Sequence, residues 1–305
     1  MTDNAVKLVV VGSIGIDTIE TPFAKREDVL GGSASYACAA AALFTSTGMV
    51  GVVGDDFPPA YEQAYRDFGI DLAGLQKQAG KTFRWSGVYL QNMDERETLS
   101  TDLNVFADFS PDLPQAYRTA PFLFLANIDP VLQHHVLDQM DAPAFVAMDT
   151  MDLWINIRKE DLIEVIGRVD LLTVNESEAR HLTGEHFLPV AAEKLLELGP
   201  KYVLIKKGEH GSMLFSQETT FALPAFPLGR VEDPTGAGDA FAGGFIGALA
   251  AGGEVSTDGL RNAMVQGSVV ASFAVEAFSL DRLTQLNPEE VRERTTAYRE
   301  IVRIP

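Results

Sequence analysis

Short apolar runs recur along the chain, separated by longer stretches that are amphipathic or rich in small residues. Residues 6–11 are apolar except for Lys7 and stop at Gly12, the pattern of a strand covered on both faces in a parallel sheet. Residues 49–53, 122–126, 145–148, 171–174 and 202–205 repeat it. Helices are predicted between them at 34–44, 57–65, 131–140, 161–167, 176–183 and 191–198. Pro58 and Pro59 suit the first turn of the second of these. The small-residue run 240–251 reads as a further helix, packed tightly against a neighbour. Strands alternating with helices in this way predict βαβ units and a mostly parallel sheet with helices on both faces.

Two regions break the rhythm. Residues 18–30 are polar and irregular. Residues 82–106 read as two extended pieces around Asn92-Met93-Asp94-Glu95-Arg96, a hairpin projecting from the sheet. No linker, low-complexity tract or internal repeat interrupts residues 1–305, so a single domain carrying a lid is expected.

Composition narrows the class. Hydrophobic residues make up 46% of the chain and charged residues 22%, ordinary values for a globular protein. Absence of an apolar run of membrane-spanning length predicts no membrane partner. Met1-Thr2-Asp3-Asn4 lacks the basic start of a signal peptide, and the single cysteine, Cys38, excludes an internal disulfide. A cytoplasmic location is expected. A net charge of −19 would repel a phosphate backbone and disfavours nucleic acid.

The most informative stretch is Asp233-Pro234-Thr235-Gly236-Ala237-Gly238-Asp239-Ala240-Phe241. Gly236, Ala237 and Gly238 would form the first turn of the late helix. Its unpaired N–H groups and the positive end of the helix dipole make an anion site. Asp239 falls in that turn, either as an ordinary first-turn acid or as an ionised base beside the anion. Such a pair suits phosphoryl transfer to an alcohol.

This run resembles the C-terminal signature of the PfkB, or ribokinase-like, carbohydrate kinases. The resemblance implies a doubly wound α/β fold, with a mostly parallel sheet flanked by helices and a small β lid formed by about 14–30 and 82–106. It implies ATP and Mg²⁺, a sugar or nucleoside acceptor, Asp239 as catalytic base, and the 236–239 amides as anion hole. A monovalent cation is a further candidate. Pairing of two exposed lids is the candidate homodimer.

Four other constellations fall in the family's order. Asp17 follows Gly12-Ser13-Ile14-Gly15-Ile16 and either caps a loop or, as in the family, holds the acceptor's hydroxyls. Gly31-Gly32-Ser33-Ala34-Ser35-Tyr36 either is a glycine-rich loop before a tightly packed helix or, as it resembles the family's N-terminal signature, approaches the acceptor, with Tyr36 where many sugar kinases have Asn. That departure favours a bulkier or flatter acceptor, such as a nucleoside. Asn175 and Glu178 either cap a helix or, by resemblance, support the Mg²⁺ and phosphate network through water. Lys206, Gly208 and Gly211 lie in a turn expected beside the nucleotide, and Asn262 on a helix expected to border the adenine. Arg84, in the lid hairpin, is either a contact for a substrate oxygen or phosphate or a surface residue. Two rivals from other classes are a kinase-like binding protein without turnover and a flavodoxin-like cofactor binder. The chain has no P-loop motif, and no Gly-x-Gly-x-x-Gly follows the first strand.

Overall fold

The computed structural model describes residues 5–93 and 95–303. Asp94, in the expected lid turn, and the N-terminal residues 1–4 lie outside the described residues. The first part of the chain forms β1 (Leu8–Val11), β2 (Gly15–Glu20), β3 (Lys25–Gly31), α1 (Ser33–Ala42), β4 (Thr47–Val53), α2 (Pro59–Asp67) and β5 (Asp71–Lys77). Next come β6 (Phe83–Tyr89), β7 (Arg96–Asp102), α3 (Gln115–Arg118), β8 (Phe122–Leu125), α4 (Pro130–Leu137) and β9 (Phe145–Asp149). Then follow α5 (Asp152–Ile157), α6 (Lys159–Ile166), β10 (Leu171–Asn175), α7 (Glu176–Thr183), α8 (Leu188–Glu197) and β11 (Tyr202–Lys206). The chain closes with β12 (Ser212–Phe215), β13 (Thr220–Leu223), α9 (Ala237–Gly252), α10 (Thr257–Ala274) and α11 (Pro288–Ile301).

Nine strands form the main sheet in the order β13-β12-β11-β10-β9-β8-β1-β4-β5, parallel from β11 to β5. Alternation along each strand divides the core. Leu8, Val10, Phe122, Phe124 and Ala147 face α1, α9 and α10, while Val9, Val11, Leu123, Leu125 and Val146 face α4, α6 and α8. The continuous apolar runs were the mark of this two-sided burial.

Helices α1 and α9 touch through backbone. A Cβ on Gly243 would lie 2.2 Å from the Ala37 carbonyl oxygen, and one on Gly247 would lie 2.7 Å from the Ala41 Cα. Small residues at this spacing let the helices approach far more closely than ordinary side chains allow. Their N-terminal ends, Gly32 and Gly236, are thereby brought to the same edge of the sheet.

A second sheet, β3-β2-β6-β7, forms the lid. Residues 18–30 are therefore not irregular: they contain most of the β2–β3 hairpin, and β2 also pairs in parallel with β6. Their polarity reflects a thin sheet with limited cover, since residues 25–28 are exposed while Ile19 and Leu30 are buried. The edge strand β5 and the terminal helix α11 lacked the expected signals because each buries only part of its surface.

Candidate active site

The head of α9 departs from an ordinary helix start. Its N-cap, Gly236, adopts φ 73°, ψ 2°, the left-handed region open to glycine. A side chain there would also strike the Tyr36 ring, at 2.4 Å from Cβ. Before it, Asp233 is wholly buried and accepts from the Thr235 N–H at 2.8 Å and the Ser279 N–H at 3.4 Å. The Ala237 N–H donates to the Pro234 carbonyl at 3.2 Å, so that amide is committed within the turn. Gly238 and Asp239 are the second and third helical residues, whose N–H groups have no partner further back in the helix. The Lys206 ammonium lies 3.3 Å from where a Gly238 Cβ would stand, so a cation borders the amides.

The charges around this turn come from the C-terminal ends of three neighbouring strands, where ligands bind in open α/β sheets. Asp149 ends β9, Asn175 ends β10 and Lys206 ends β11. Lys206 Nζ meets Asp149 Oδ2 at 2.5 Å, with both side chains largely shielded from water. Burial works against the lysine's charge, but Asp149, Glu178 and Asp239 outweigh it and hold its pKa above the ordinary value. Burial, then repulsion from Asp149, lifts Asp239 to about 6, with Lys206 and Arg96 opposing. Asp239 itself keeps partial access to solvent.

Glu178 caps its helix. Its backbone N–H donates to Asn175 Oδ1 at 2.8 Å, and its carboxylate accepts from the Asn175 N–H at 2.7 Å. It also senses the charged pair: burial and Asp149 push its pKa to about 8. The helix-cap reading of this motif is thus realised, in a position adjoining the charge cluster.

On the lid side, Asp17 of β2 is 4% exposed, and its Oδ1 has no hydrogen-bond partner among the described residues. Gly31 leaves room for it, since a Cβ there would lie 1.9 Å from Oδ2. Burial, then Asp233, raises Asp17 to about 7, with Arg96 opposing. Tyr36 is buried beneath Gly236, and its hydroxyl also lacks a partner among the described residues.

Several of the expected site residues have structural partners. Ser33 is spent on structure: its hydroxyl lies 3.1 Å from both Ser13 N and Ser13 Oγ and donates to the Asn127 carbonyl at 3.2 Å. Gly32, at φ 96°, forms the α1 N-cap. Arg84 ion-pairs with Asp28 at 2.5 Å and Asp56 at 3.2 Å. Strand alternation turns it to the face opposite Trp85, the side chain that packs near Ile19 and Tyr89. Gly208 and Gly211 shape the turn after β11, and Gly211 presses on the Leu223 carbonyl.

Asn262 is the clearest departure. Contacts of residues 241 and 244 with 267 and 270, and of Leu249 with Gly259, show that α10 runs antiparallel to α9. Asn262 therefore lies near the far end of a 16-residue helix, itself about 24 Å long at 1.5 Å per residue. There it accepts a hydrogen bond from Arg299 at 2.5 Å.

The structure adds Asp149 and Arg96 to the site. The only sequence signal for Asp149 was a charge immediately after an apolar strand. Arg96 fell in the expected turn, yet it begins β7, stacks on Trp85 at 5.7 Å, and its charge reaches Asp17 and Asp239.

Residues 6–284 match the model of the pfkB family carbohydrate kinases. The chain belongs to that family. This kinase is 32% identical over 246 residues to a cytidine kinase of Thermococcus kodakarensis, covering 78% of this chain and 87% of that one. Its fold is shared with the nucleoside kinase of Methanocaldococcus jannaschii, at TM-score 0.78 and 21% identity, covering 96% and 99% of the two chains. It is shared equally with an E. coli chain of the ribokinase II type, solved with ATP and Mg²⁺, at TM-score 0.79, 17% identity and the same coverage. Among the described residues, no helix is long and apolar enough to cross a membrane.

Proposed function

We propose that this pfkB-family kinase transfers the γ-phosphoryl group of ATP to a primary hydroxyl of a sugar or nucleoside, with Asp239 as general base. One observation carries the reading: Asp239 shares a helix turn with Gly236 and Gly238, beside Lys206. A carboxylate with a pKa of about 6 is ionised at neutral pH yet accepts a proton more readily than an ordinary aspartate. The Gly238 and Asp239 amides, with Lys206, favour an oxyanion at the same point.

The residues present fit a nucleotide triphosphate with magnesium. The glycine head leaves space that a Cβ would fill, Lys206 is a buried cation, and the Glu178 carboxyl adjoins the Asp149–Lys206 pair. Lys206 and the 208–211 turn would hold the phosphates, and Asn175 with Glu178 would support Mg²⁺ through water. Bound there, the metal neutralises phosphate charge. Asp17 and Tyr36 each bring a buried, unpartnered oxygen to the acceptor side, which suits a polyol. Likeness to a cytidine kinase favours the nucleoside as acceptor. All seven residues of β7 are exposed, and that open lid edge offers a second copy a surface for strand pairing.

The test is ADP release with Mg·ATP across a panel of pentoses, hexoses and nucleosides. Asp239→Asn should fold, bind ATP and lose at least about a hundredfold in kcat. Undiminished turnover by that variant would remove Asp239 from its role.

A further inference from the structure

Tyr89 ends β6 and is 6% exposed, packed with Ile19 of β2 and with Phe278, which follows α10. Its hydroxyl accepts from Thr235 Oγ1 at 3.1 Å, across 146 positions of sequence. Thr235 belongs to the turn that builds the anion cradle: its N–H is fixed by Asp233, and the next residue is the left-handed Gly236. The other lid hairpin reaches the same turn. Ser279 donates its hydroxyl to the Leu30 carbonyl at 2.5 Å and its N–H to Asp233 Oδ2 at 3.4 Å. Both lid hairpins therefore end on the one turn, through Tyr89–Thr235 and through Leu30–Ser279–Asp233.

We propose that Tyr89 is a positioning residue for the reaction, whose hydroxyl bond to Thr235 sets the 236–239 turn in register with Asp17 on the lid. The proposal rests on the kinase reading above. Asp17 is carried by the lid and Asp239 by α9, so the distance between acceptor hydroxyl and base depends on how lid and turn are joined. Displacement of reacting groups by about 1 Å can cost about a hundredfold in rate. The apolar cluster of Ile19, Tyr89 and Phe278 keeps the lid near, while on the β6 side the hydroxyl bond grips the turn itself.

A double-mutant cycle tests this. Tyr89→Phe keeps the ring and its packing, and Thr235→Val keeps the shape and the backbone bond to Asp233. Each should lower kcat about tenfold while both KM values stay within about twofold, with Thr235→Ser close to wild type. The double variant should be no slower than the slower single. Multiplicative losses, a loss confined to KM, or an unchanged Tyr89→Phe would overturn the proposal. Hydrogen exchange supplies a readout independent of turnover: the 235–239 amides should exchange several-fold faster in Tyr89→Phe. Unchanged exchange there would overturn the latch whatever the activity, whereas a wild type that phosphorylates no acceptor while exchange responds would count against the kinase reading alone.

Discussion

The two ends of α9 carry glycine in nearly the same backbone conformation, φ 73° at Gly236 and φ 75° at Gly253, in opposite surroundings. Beyond Gly253 a side chain would meet nothing within 4 Å. Near that end lies a groove of about 950 Å³, lined by residues such as Leu43, Phe44, Ala248 and Leu286. At Gly236 a side chain would strike Tyr36, and Asp233, Asp239 and Lys206 stand around it. Left-handed glycine is a common way to end a helix, but a helix usually starts from an extended N-cap that supplies a side-chain oxygen. A left-handed glycine at the start needs a local cause. Here Gly236 packs on the Tyr36 ring, and the turn leaves the Gly238 and Asp239 amides, rather than a capping side chain, at the helix start beside Lys206.

Replacing each glycine by alanine should separate these cases most strongly. Gly236→Ala adds the left-handed penalty to an overlap with a fully packed ring and should cost about 2–4 kcal/mol. It should also lower kcat at least about a hundredfold by moving the oxyanion donors. Gly253→Ala meets only the backbone penalty, about 1 kcal/mol, and should keep kcat within twofold. Chemical denaturation and ADP release measure both. Similar losses at the two positions would mean that the N-terminal glycine is merely a cap.

Asp17 sharpens the contrast from the lid side. Its pKa stands near 7 against an unfolded value of 3.8, so the folded state binds a proton more tightly than the unfolded chain. Stability therefore falls as pH rises between about 4 and 7, and the whole cost is present above 7. Asp17→Asn should raise stability by about 2–4 kcal/mol at pH 8, with the gain vanishing near pH 4. The same variant should lower kcat/KM for the acceptor by one to two orders of magnitude, about the worth of a charged hydrogen bond. In wild type, kcat/KM should fall below about pH 7, and kcat below about pH 6 as Asp239 takes a proton. A destabilised Asp17→Asn at pH 8 would show that the buried carboxylate is a structural asset.

Sequence pattern reached some of this molecule and not the rest, for physical reasons. Strands β1, β8, β9, β10 and β11 are buried on both faces and wrote themselves as apolar runs. The glycine run and Asp239 were legible because cradle and base are contiguous in sequence. The lid's first hairpin was not, since a thin exposed sheet needs few apolar positions. Asp149 and Lys206 meet across 57 residues, and no local spacing encodes a pair made by strand order. Arg84 was chemically eligible for a substrate, but its position among Asp28 and Asp56 is a property of the folded lid. Asn262 failed for a simpler reason: helical periodicity gives the face of a residue but not the direction in which its helix runs.

That last failure yields the smallest expected effect and a direct check on which end of α9 serves the nucleotide. Asn262 is exposed, and its recorded partner is Arg299 on α11. Loss of such a surface contact should change stability by no more than about 0.5 kcal/mol. If the nucleotide binds at the head of α9, Asn262→Ala should leave KM for ATP within about twofold. Lys206→Ala removes the cation beside the amides and strands Asp149 as a buried, unpaired charge, so it should raise that KM at least about tenfold. The inverse pattern, with ATP affinity lost in Asn262→Ala and kept in Lys206→Ala, would move the nucleotide to the groove beside Gly253 and leave the charged head without its ligand.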